Sequence, residues 1–370
     1  MNPIIKWPGG KSREIDKIQP LIPDFKRYVE PFFGGGALFF HLAPPQAAIN
    51  DISPALMQFY ELIKDRDEIF CKLMKLYADS FTDIVSKCGR RSLLSIFTRF
   101  RTGALQDAAF DKALHEHFHL CFPEMFDGSF SELILDPTAF EDVLLHAVKD
   151  KFIRIASNHQ KIPFSDADLN ENLVTGFASG YYLYFRQVLN DINLGRLPGL
   201  SPQYKAANFF FIREYCYGSM FRYNANGEFN IPYGGMSYNH KDMRGKIDRI
   251  FSREVADLFS GTSIHCSDFE VFLDGLHLTG DDFIFLDPPY DTEFSDYEGR
   301  AFTRGDQERL AKFLQHTPAK FLLVIKNTDF IRGLYEKDFR ILSFDKQYTY
   351  NIRSRNNRNT EHLIIANILN

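Results

Sequence analysis

The chain has 370 residues, 45% of them hydrophobic, which is enough for two domains with apolar cores. Its 43 Lys and Arg residues are outnumbered by 48 Asp and Glu residues, so any contact with nucleic acid must come from local basic patches. Five cysteines without a Cys-x-x-Cys pair predict neither a metal site nor a disulfide framework. No apolar run approaches the roughly 18 residues of a membrane span, and no signal peptide opens the chain, so we expect a cytoplasmic protein without membrane contact.

Short apolar runs bounded by turn residues predict buried β-strands. They lie at residues 27–30, 47–49, 282–286, 321–325, 340–344 and 362–366. Helical patterns lie between them, for example at 306–314. Because strands alternate with helices, we predict an α/β fold with a largely parallel sheet.

The middle of the chain follows a different pattern. From Leu56 to about Ile192 the spacing of Leu, Phe and Ile is mostly helical, and many of the 38 Phe residues lie in this region. We therefore predict one α/β domain built from residues 1–62 and 262–370, interrupted by a mainly helical domain at 63–261. Near the end of the insert, residues 221–233 place Asn-Ala-Asn-Gly between aromatic residues, which predicts a hairpin or tight loop.

Residues 30–36, Glu-Pro-Phe-Phe-Gly-Gly-Gly, follow the first predicted strand and open a helix. Glycines there let the backbone approach a ligand closely, and a helix N-terminus favours an electron-rich group such as a carboxylate. Asp51 follows the next strand, where its carboxylate would accept hydrogen bonds from ribose hydroxyls. A glycine loop followed by an acid is typical of adenosine binding, although such loops also close ordinary turns.

Residues 6–12, Lys-Trp-Pro-Gly-Gly-Lys-Ser, end like a phosphate-binding P-loop. The match fails because that motif needs a glycine where Ile5 stands, which argues against a P-loop ATPase. Two interpretations remain open. Either Trp7 packs on a planar part of a ligand while Lys11 meets a carboxylate, or the segment is a solvated turn anchored by Trp7.

The sequence Asp287-Pro288-Pro289-Tyr290 directly follows the predicted strand 282–286. Loops at the carboxyl ends of parallel strands line the ligand crevice of an open α/β sheet. The two prolines fix φ and remove two N–H donors, so this loop predicts a rigid pocket of hydrogen-bond acceptors facing the glycine loop.

Such a pocket suits the exocyclic amino group of a nucleic-acid base. The Asp287 carboxylate and the Pro288 carbonyl would accept its two hydrogens, which concentrates the lone pair on nitrogen for attack on a sulfonium methyl group. Tyr290 would stack on the base, which must be flipped out of the duplex. The same acceptors serve adenine N6 and cytosine N4. Because no cysteine is expected beside the pocket, we predict direct methyl transfer without a covalent intermediate.

The order of these motifs resembles the Dam-type family of DNA adenine-N6 methyltransferases, of the D12 class and alpha group. Lys-Trp-x-Gly-Gly-Lys is followed by Glu-Pro-Phe-x-Gly-x-Gly, Asp51, a helical insert and Asp-Pro-Pro-Tyr, and Arg222 to Gly234 resembles the DNA-contacting segment of the family. The resemblance covers residues 4–62 and 177–297. It implies a Rossmann-like sheet that binds S-adenosylmethionine, an inserted helical target-recognition domain, and double-stranded DNA as substrate.

The resemblance also implies roles for single residues. The implied catalytic loop consists of Asp287, Pro288, Pro289 and Tyr290. The implied cofactor-binding residues are Trp7, Lys11, Pro31, Phe32, Gly34, Gly36, Asp51, Asp268 and Asp287, with a solvated turn as an equal alternative for Asp268. The implied DNA-binding residues are Arg222, Tyr223, Asn224, Asn226, Asn230 and Pro232.

Further positive charge is expected outside these motifs. Arg353, Arg355 and Arg358 lie in a polar loop between the last two predicted strands, and we expect them to clamp phosphates, although such runs are usually solvated loops. The same argument applies to Lys205, Arg213 and Arg222.

The insert departs from the resemblance, because residues from about 70 to 175 have no counterpart in the compact family members. This extra segment would be a recognition elaboration, a surface for a partner such as a cognate restriction enzyme or a defence-system protein, or a larger scaffold. Two alternative functions stay open, an N4-cytosine methyltransferase and a non-catalytic nucleic-acid-binding protein on the same scaffold. The second is disfavoured because Trp7, Lys11, Asp51, Asp287 and Tyr290 are all present.

Overall fold

Seven strands form one sheet in the computed structural model, which describes residues 1–123, 125, 128–290, 296–297, 300–347 and 359–368. The strands, including a separate two-stranded pair, are β1 (Arg27–Glu30), β2 (Ala47–Asn50), β3 (Thr262–His265), β4 (Asp282–Leu286), β5 (Asp296–Tyr297), β6 (Arg300–Ala301), β7 (Lys320–Lys326), β8 (Arg340–Gln347) and β9 (Asn359–Ala366). The order across the large sheet is β3-β2-β1-β4-β7-β9-β8. The predicted strands are thus confirmed, and β3 joins them at the edge.

The sheet is parallel from β3 to β7, and β9 runs antiparallel to both of its neighbours. Every residue of β2 and β4 is buried, as expected for strands covered on both faces. The chain order reverses between β1 and β4, which are direct neighbours. The loops after Glu30 and Leu286 therefore leave the same edge of the sheet side by side, at its switch point.

Fourteen α-helices lie in the described part of the chain. They are α1 (Ile15–Ile18), α2 (Ala37–Leu42), α3 (Pro54–Lys64), α4 (Glu68–Ser86), α5 (Arg90–Arg101), α6 (Asp107–Cys121), α7 (Pro137–Lys161), α8 (Asp166–Asn193), α9 (Pro202–Tyr215), α10 (Met243–Ile250), α11 (Arg253–Ser260), α12 (Phe269–Asp274), α13 (Arg304–His316) and α14 (Asp329–Tyr335). The predicted helix at 306–314 is confirmed within α13. Among the described residues, no helix is both long and apolar enough to cross a membrane.

The chain divides into two compact units. Unit 1 comprises Met1–Arg66 and Ser252–Asn370 and contains the sheet, whereas unit 2, Asp67–Phe251, contains only short isolated bridges beside its helices. The sequence placed α11 in the helical domain, but this helix belongs to unit 1. The Phe259 ring lies 5.7 Å from that of Phe39 and 5.9 Å from that of Tyr60, so burial of an aromatic side chain ties α11 to the α/β core.

Unit 2 has an aromatic core, as the Phe-rich composition predicted. The Tyr77 ring of α4 lies 4.7 Å from Phe185 of α8 and 5.2 Å from Phe211 of α9. Such contacts contribute about 0.5–1.5 kcal/mol each beyond the burial of their area. A Cβ atom at Gly180 would lie 2.7 Å from the Cα atom of Leu144, so this glycine lets α8 pack directly on the backbone of α7.

The predicted tight loop at 221–233 is confirmed. Tyr223 and Phe229 form an antiparallel bridge, and the Asn224 N–H donates to the Glu228 carbonyl at 2.9 Å. Gly227 closes the turn with a φ of 76°, a left-handed conformation that favours glycine. The Asn190 side chain of α8 holds the turn at Phe229 through both its amide oxygen and its amide nitrogen.

A buried carboxylate fixes the end of α9. Glu214 is fully buried and accepts from Lys241 at 2.6 Å and Lys246 at 2.5 Å. Burial alone would raise the pKa of Glu214, but the charges and hydrogen bonds of the two lysines lower it from the ordinary 4.5 to about 2. Because the folded-state pKa is depressed, this group contributes its full stability above about pH 4.5 and loses it as the pH falls towards 2.

We predict that Glu214→Gln lowers the free energy of unfolding of unit 2 by about 3 kcal/mol at neutral pH, because it leaves two ammonium groups without their counter-charge. The loss should shrink as the pH falls from 4.5 towards 2. Urea unfolding followed by far-ultraviolet circular dichroism measures the change. Glu132→Gln is the control, since its pair with Lys72 is exposed and contributes less than about 1 kcal/mol. Equal losses for the two variants would contradict this account.

Candidate active site

A cavity of about 700 Å³ lies in unit 1 at the switch point of the sheet. Three segments singled out in the sequence line it, namely 7–11, 30–38 and 287–290. Residues 50–54 and 266–269, which follow β2 and β3, complete its wall. The structure therefore brings every sequence-predicted cofactor-binding and catalytic residue to one cavity.

Asp51 organises the glycine loop. Its carboxylate accepts from the Gly34 N–H at 2.8 Å and from the Ser53 N–H at 3.0 Å, while the Tyr60 hydroxyl donates to the Gly34 carbonyl at 3.0 Å. Burial raises the pKa of Asp51, and these backbone hydrogen bonds oppose the shift. Asp51, which directly follows β2, thus stabilises the conformation of the glycine loop.

Trp7 packs across the glycine loop. Gly34 has a φ of 49°, and a Cβ atom there would lie 2.7 Å from Cδ1 and 2.9 Å from Nε1 of the Trp7 ring. A Cβ atom at Gly35 would lie 3.1 Å from the Cβ of Trp7. The indole ring therefore needs glycine beneath it, and it forms part of the cavity wall.

Two buried polar residues at strand ends line the cavity, although the sequence predicted no role for them. Asn50 donates to the Pro31 carbonyl at 3.1 Å and the Ser267 carbonyl at 3.0 Å, and so links the loops that follow β1 and β3. Glu30 accepts from the Tyr28 hydroxyl at 2.8 Å. Burial raises the pKa of Glu30 well above its usual range, with a further contribution from the nearby charge of Asp287. In the sequence, Asn50 and Glu30 share one recognisable feature, since each is a polar residue at the end of an apolar strand.

Lys11 meets a carboxylate, but that carboxylate belongs to the protein. The Lys11 ammonium is 2% exposed, forms an ion pair with Asp287, and donates to the Tyr290 hydroxyl at 3.0 Å. A buried ammonium needs such partners because its desolvation costs several kcal/mol. The pair joins the N-terminal segment to the loop after β4.

The proline loop is held from a second side. The Gln307 side chain of α13 donates to the Pro289 carbonyl at 3.0 Å, and the Tyr290 ring packs edge-on against His362 of β9 with centroids 5.2 Å apart. These contacts fix Asp287 and Tyr290 relative to the cavity. These contacts add to the restriction of φ that the two prolines impose on the loop.

Asp268 lies at the cavity wall in an ionic network rather than in a freely solvated turn. Its carboxylate caps α12 by accepting from the Glu270 N–H at 3.0 Å, and it accepts from both terminal nitrogens of Arg309 at 3.0 and 3.1 Å. Burial alone would raise the pKa of Asp268, but hydrogen bonds from Arg309 and the backbone hold it below its usual range. Arg309 also binds Asp306, another wall residue.

One cysteine lies in the cavity wall. No cysteine was expected beside the base pocket at Asp287, and the exposed Cys266 lines the larger cavity after β3. The strand order places β3 three positions from β4, which is roughly 14 Å at 4.8 Å per strand. Cys266 therefore lies on the glycine-loop side of the cavity, away from Asp287.

The predicted DNA-binding residues lie together on the turn of unit 2. Arg222 donates to the Asn230 side chain at 2.7 Å, and the Asn224 side chain accepts from the N–H groups of Asn226 and Glu228 at 3.0 Å each. Tyr223 packs on Phe229, and the exposed Pro232 offers its carbonyl to the Tyr217 N–H at 2.9 Å. The turn presents its polar side chains in a single structured loop.

Two of the further basic residues behave differently from the expectation. Arg213 is 1% exposed, donates to the carbonyls of Ser219 and Met220, and lies 3.8 Å from the Phe221 ring. It supports the turn from within and offers no surface charge, because nearly all of α9 is buried. Lys205 is half-buried. Arg353, Arg355 and Arg358 lie outside the described residues.

Three side chains of unit 2 have the composition of a metal site. His115 and His119, one turn apart on α6, point their Nε2 atoms at one Glu141 oxygen at 2.9 and 3.0 Å. Ordinary hydrogen bonds account for these distances. The cluster belongs to unit 2 and lies outside the cavity lining.

The D12 class N6 adenine-specific DNA methyltransferase family matches residues 7–85 and 112–350, most of the chain. The chain belongs to this family. The family is specific for adenine N6, which confirms the adenine interpretation over cytosine N4 and gives DNA as the substrate. Within the segment 70–175, for which no counterpart was expected, the match covers residues 70–85 and 112–175 and leaves out only 86–111, so that expectation was too broad.

Several named proteins are similar over different lengths. The type II methyltransferase M.CviBI of Paramecium bursaria Chlorella virus NC1A is 24% identical over 99% of this chain and 100% of its own length. The DNA N-6-adenine-methyltransferase of Escherichia phage P1 is 23% identical over 91% of this chain but 32% of its own length. The retron Ec67 DNA adenine methylase of Escherichia coli is 34% identical over 35% of this chain and 44% of its own length.

We predict that Gly34→Ala in this D12 family member displaces the Trp7 ring, because the new methyl group would overlap the indole and a positive φ is strained for alanine. The expected results are a shift in tryptophan emission and a loss of at least about 1 kcal/mol of unit 1 stability. Trp7 is the single tryptophan of the chain, so its fluorescence reports the site directly. Gly10→Ala is the control, since its Cβ atom would make an ordinary contact 3.7 Å from the Trp7 carbonyl. An unchanged spectrum for Gly34→Ala would refute this packing.

Proposed function

We propose that this DNA adenine-N6 methyltransferase uses S-adenosylmethionine and the Asp287–Tyr290 loop to methylate a flipped adenine. The observation that carries the proposal is the convergence of the proline loop and the glycine loop on one cavity at the switch point of the sheet. The cavity volume of about 700 Å³ suits S-adenosylmethionine together with part of a base.

The side chains of the cavity fit S-adenosylmethionine. Phe32 packs against Phe269 and Phe302, with ring centroids 5.4 and 5.5 Å away, which offers an aromatic wall for an adenine ring. Asp51 and Asp268 supply carboxylates for hydroxyl or amino donors. The glycines at 34 and 36 line the cavity and let the Trp7 and Phe33 rings pack directly on the loop backbone, and Pro31 lies between them and β1. S-adenosylmethionine supplies a sulfonium methyl group when it binds.

The chain activates the adenine amine with fixed acceptors. The Asp287 carboxylate and the Pro288 carbonyl hold the two N6 hydrogens, so the nitrogen lone pair is directed away from them. As the N6–methyl bond forms, the bond between that methyl group and the sulfonium sulfur breaks and leaves a neutral thioether, and one N6 proton passes to the Asp287 carboxylate and then to solvent. An exocyclic amine is itself the nucleophile, so the direct route needs no covalent adduct and stands although Cys266 lines the cavity.

Lys11 and Tyr290 position these acceptors. Lys11 pairs with Asp287 and contacts the Tyr290 hydroxyl, so it holds the carboxylate and the aromatic ring in one arrangement before a base enters. The Tyr290 ring then offers the flipped adenine a stacking surface that offsets part of the stacking lost in the duplex. We assign Lys11 as a positioning residue and Asp287 as the catalytic residue.

DNA recognition is assigned to residues 63–261. The polar side chains of the turn, with Arg222, Asn224 and Asn230 foremost, have the bidentate geometry that reads base edges. Arg353, Arg355 and Arg358 are assigned to phosphate contacts on the strength of charge and sequence position. M.CviBI of the Chlorella virus and M1.LlaDCHI of Lactococcus lactis subsp. cremoris, which is 23% identical over 99% of this chain, are both named type II methyltransferases. These names favour a cytoplasmic modification enzyme with a cognate restriction partner. Sequencing of single DNA molecules from cells that express the protein tests the modified base and its surroundings together.

We predict that Asp287→Ala lowers the methylation rate by at least about 1,000-fold, because one of the two acceptors for the amine is lost. DNA binding should remain within a few-fold of the original. Methylation of a duplex substrate with labelled S-adenosylmethionine and a gel-shift assay measure the two effects.

Asp281→Ala is the matched control for this variant. It removes an exposed carboxylate at the opposite end of β4, where Asp281 pairs with Lys26, and should leave methylation unchanged. Near-original activity of Asp287→Ala would refute the catalytic assignment. Labelled S-adenosylmethionine should also crosslink to the original protein without competition from ATP, and competition would refute the proposed cofactor.

We predict that Arg222→Ala weakens binding to the target sequence by about tenfold or more while non-specific binding changes little, because a base contact is worth about 1–3 kcal/mol. Competition between target and scrambled duplexes measures the ratio. Arg249→Ala, which removes an exposed arginine from α10, is the control. An unchanged ratio for Arg222→Ala would remove this residue from the recognition set.

A further inference from the structure

Helix α5 lies in a stretch of sequence whose charged residues are all positive. Residues 86–106 contain Lys87, Arg90, Arg91, Arg99 and Arg101 and no Asp or Glu, although the whole chain has a net charge of −5. Soluble protein surfaces usually intersperse both signs. A run of five cations without an acid therefore stands out from the rest of this chain.

Two arginines of α5 lie opposite its buried face. Leu93 and Phe97, four residues apart, are 1% exposed and anchor the helix in unit 2. At 100° per residue, Arg91 and Arg99 project from the other side, where Ser95, Thr98 and Thr102 are also exposed. Arg101, exposed at the end of the helix, lies about 60° from the centre of the buried face and does not belong to this side. The side of α5 with Arg91 and Arg99 is thus a basic face with hydroxyl groups between the charges.

The charges of this basic face are not neutralised within the protein. Lys87 pairs with Asp83 at 2.9 Å and Arg90 pairs with Glu171 at 3.0 Å. By contrast, Arg91, Arg99 and Arg101 form no ion pair within 4.0 Å among the residues that the structure describes. The guanidinium groups of Arg91 and Arg99 therefore face outward with their donors available to a ligand.

A polar network joins the first turn of α5 to the tight loop at residues 221–233. Glu171, which binds Arg90, also accepts from Asn239 at 2.9 Å and His240 at 2.8 Å. The Asn239 side chain in turn accepts from the Tyr233 hydroxyl at 2.9 Å. Tyr233 ends the segment that carries the predicted DNA contacts. All of these residues belong to unit 2, so the network fixes α5 relative to that segment.

The dimensions and chemistry of the basic face fit a DNA backbone. Eight residues of helix separate Arg91 from Arg99, a distance of about 12 Å. Along a duplex this corresponds to roughly three to four base steps of 3.4 Å. Guanidinium groups bind phosphate with two parallel hydrogen bonds, and hydroxyl groups make further phosphate contacts.

We propose that Arg91 and Arg99 of α5 form a phosphate-binding site for the DNA backbone. The proposal rests on the proposed function only in that DNA is the ligand. It assigns a role to residues 86–111, which the family match omits, so this contact adds to the surface that the family shares. Because phosphate contacts position the duplex without reading it, the site raises affinity and leaves the target sequence unchanged.

The test combines the two substitutions R91A and R99A in the whole chain. Binding to the target duplex is measured by fluorescence anisotropy across a range of salt concentrations. Each lost phosphate contact should flatten the slope of log K against log salt by about 0.9, so the double variant should lose about 1.8 and bind several-fold more weakly at moderate salt. The methylated sequence should stay the same. A slope equal to that of the original protein overturns the proposal.

A matched control removes the same net charge elsewhere in unit 2. K72A and K112A together delete two exposed lysines that pair with carboxylates, and the slope should stay close to the original. An equal change in the control would show a general charge effect and overturn the site. R91A and R99A as single variants, each worth about 0.9 in slope, decide the matter if the double variant does not fold. Loss of salt-dependent binding in the original protein would refute the proposed function instead.

Discussion

The ion pair between Lys11 and Asp287 is the constraint on which the site depends. These residues are 276 positions apart in sequence, and the ammonium is 2% exposed, so its desolvation must be offset by a partner. Trp7, four residues before Lys11, covers the glycine loop at the same time. One short segment therefore clamps the loop after β1 and the loop after β4. Those loops emerge side by side because β1 and β4 are neighbours, and the pair fixes the carboxylate that we propose as the acceptor for the amine.

The features predicted from the sequence were those with a local physical origin. A strand such as β4 is apolar at every position because both faces are covered, and the two prolines after it fix the backbone by covalent geometry. The meeting of Asp287 with the glycine loop also followed, because parallel strands release their loops at one edge of a sheet. The fold class, the strands and the gathering of the cavity residues needed no further information.

The partners of individual side chains were not predictable, because they depend on contacts between distant segments. Lys11 was expected at a ligand carboxylate and instead pairs with Asp287. Cys266 entered the cavity wall through the position of β3 at the sheet edge, which no local pattern encodes. Arg213 did carry a signal, since the apolar residues around it fill nearly every face of α9, and such a helix buries even an arginine.

The proposed roles of the two units differ because of the chemistry of the acceptors. A carboxylate and a carbonyl accept hydrogen from any exocyclic amine, so the proposed pocket alone would select weakly among DNA sites, and we propose that discrimination comes from unit 2. There, Arg222 and Asn230 already bond to each other. To contact a base, each would exchange an internal hydrogen bond, so the correct base would contribute only the difference between the two. A wrong base would leave the internal bond intact and carry little penalty. In this proposal the turn discriminates by gain on the correct base, and sequence-independent phosphate contacts supply much of the total affinity.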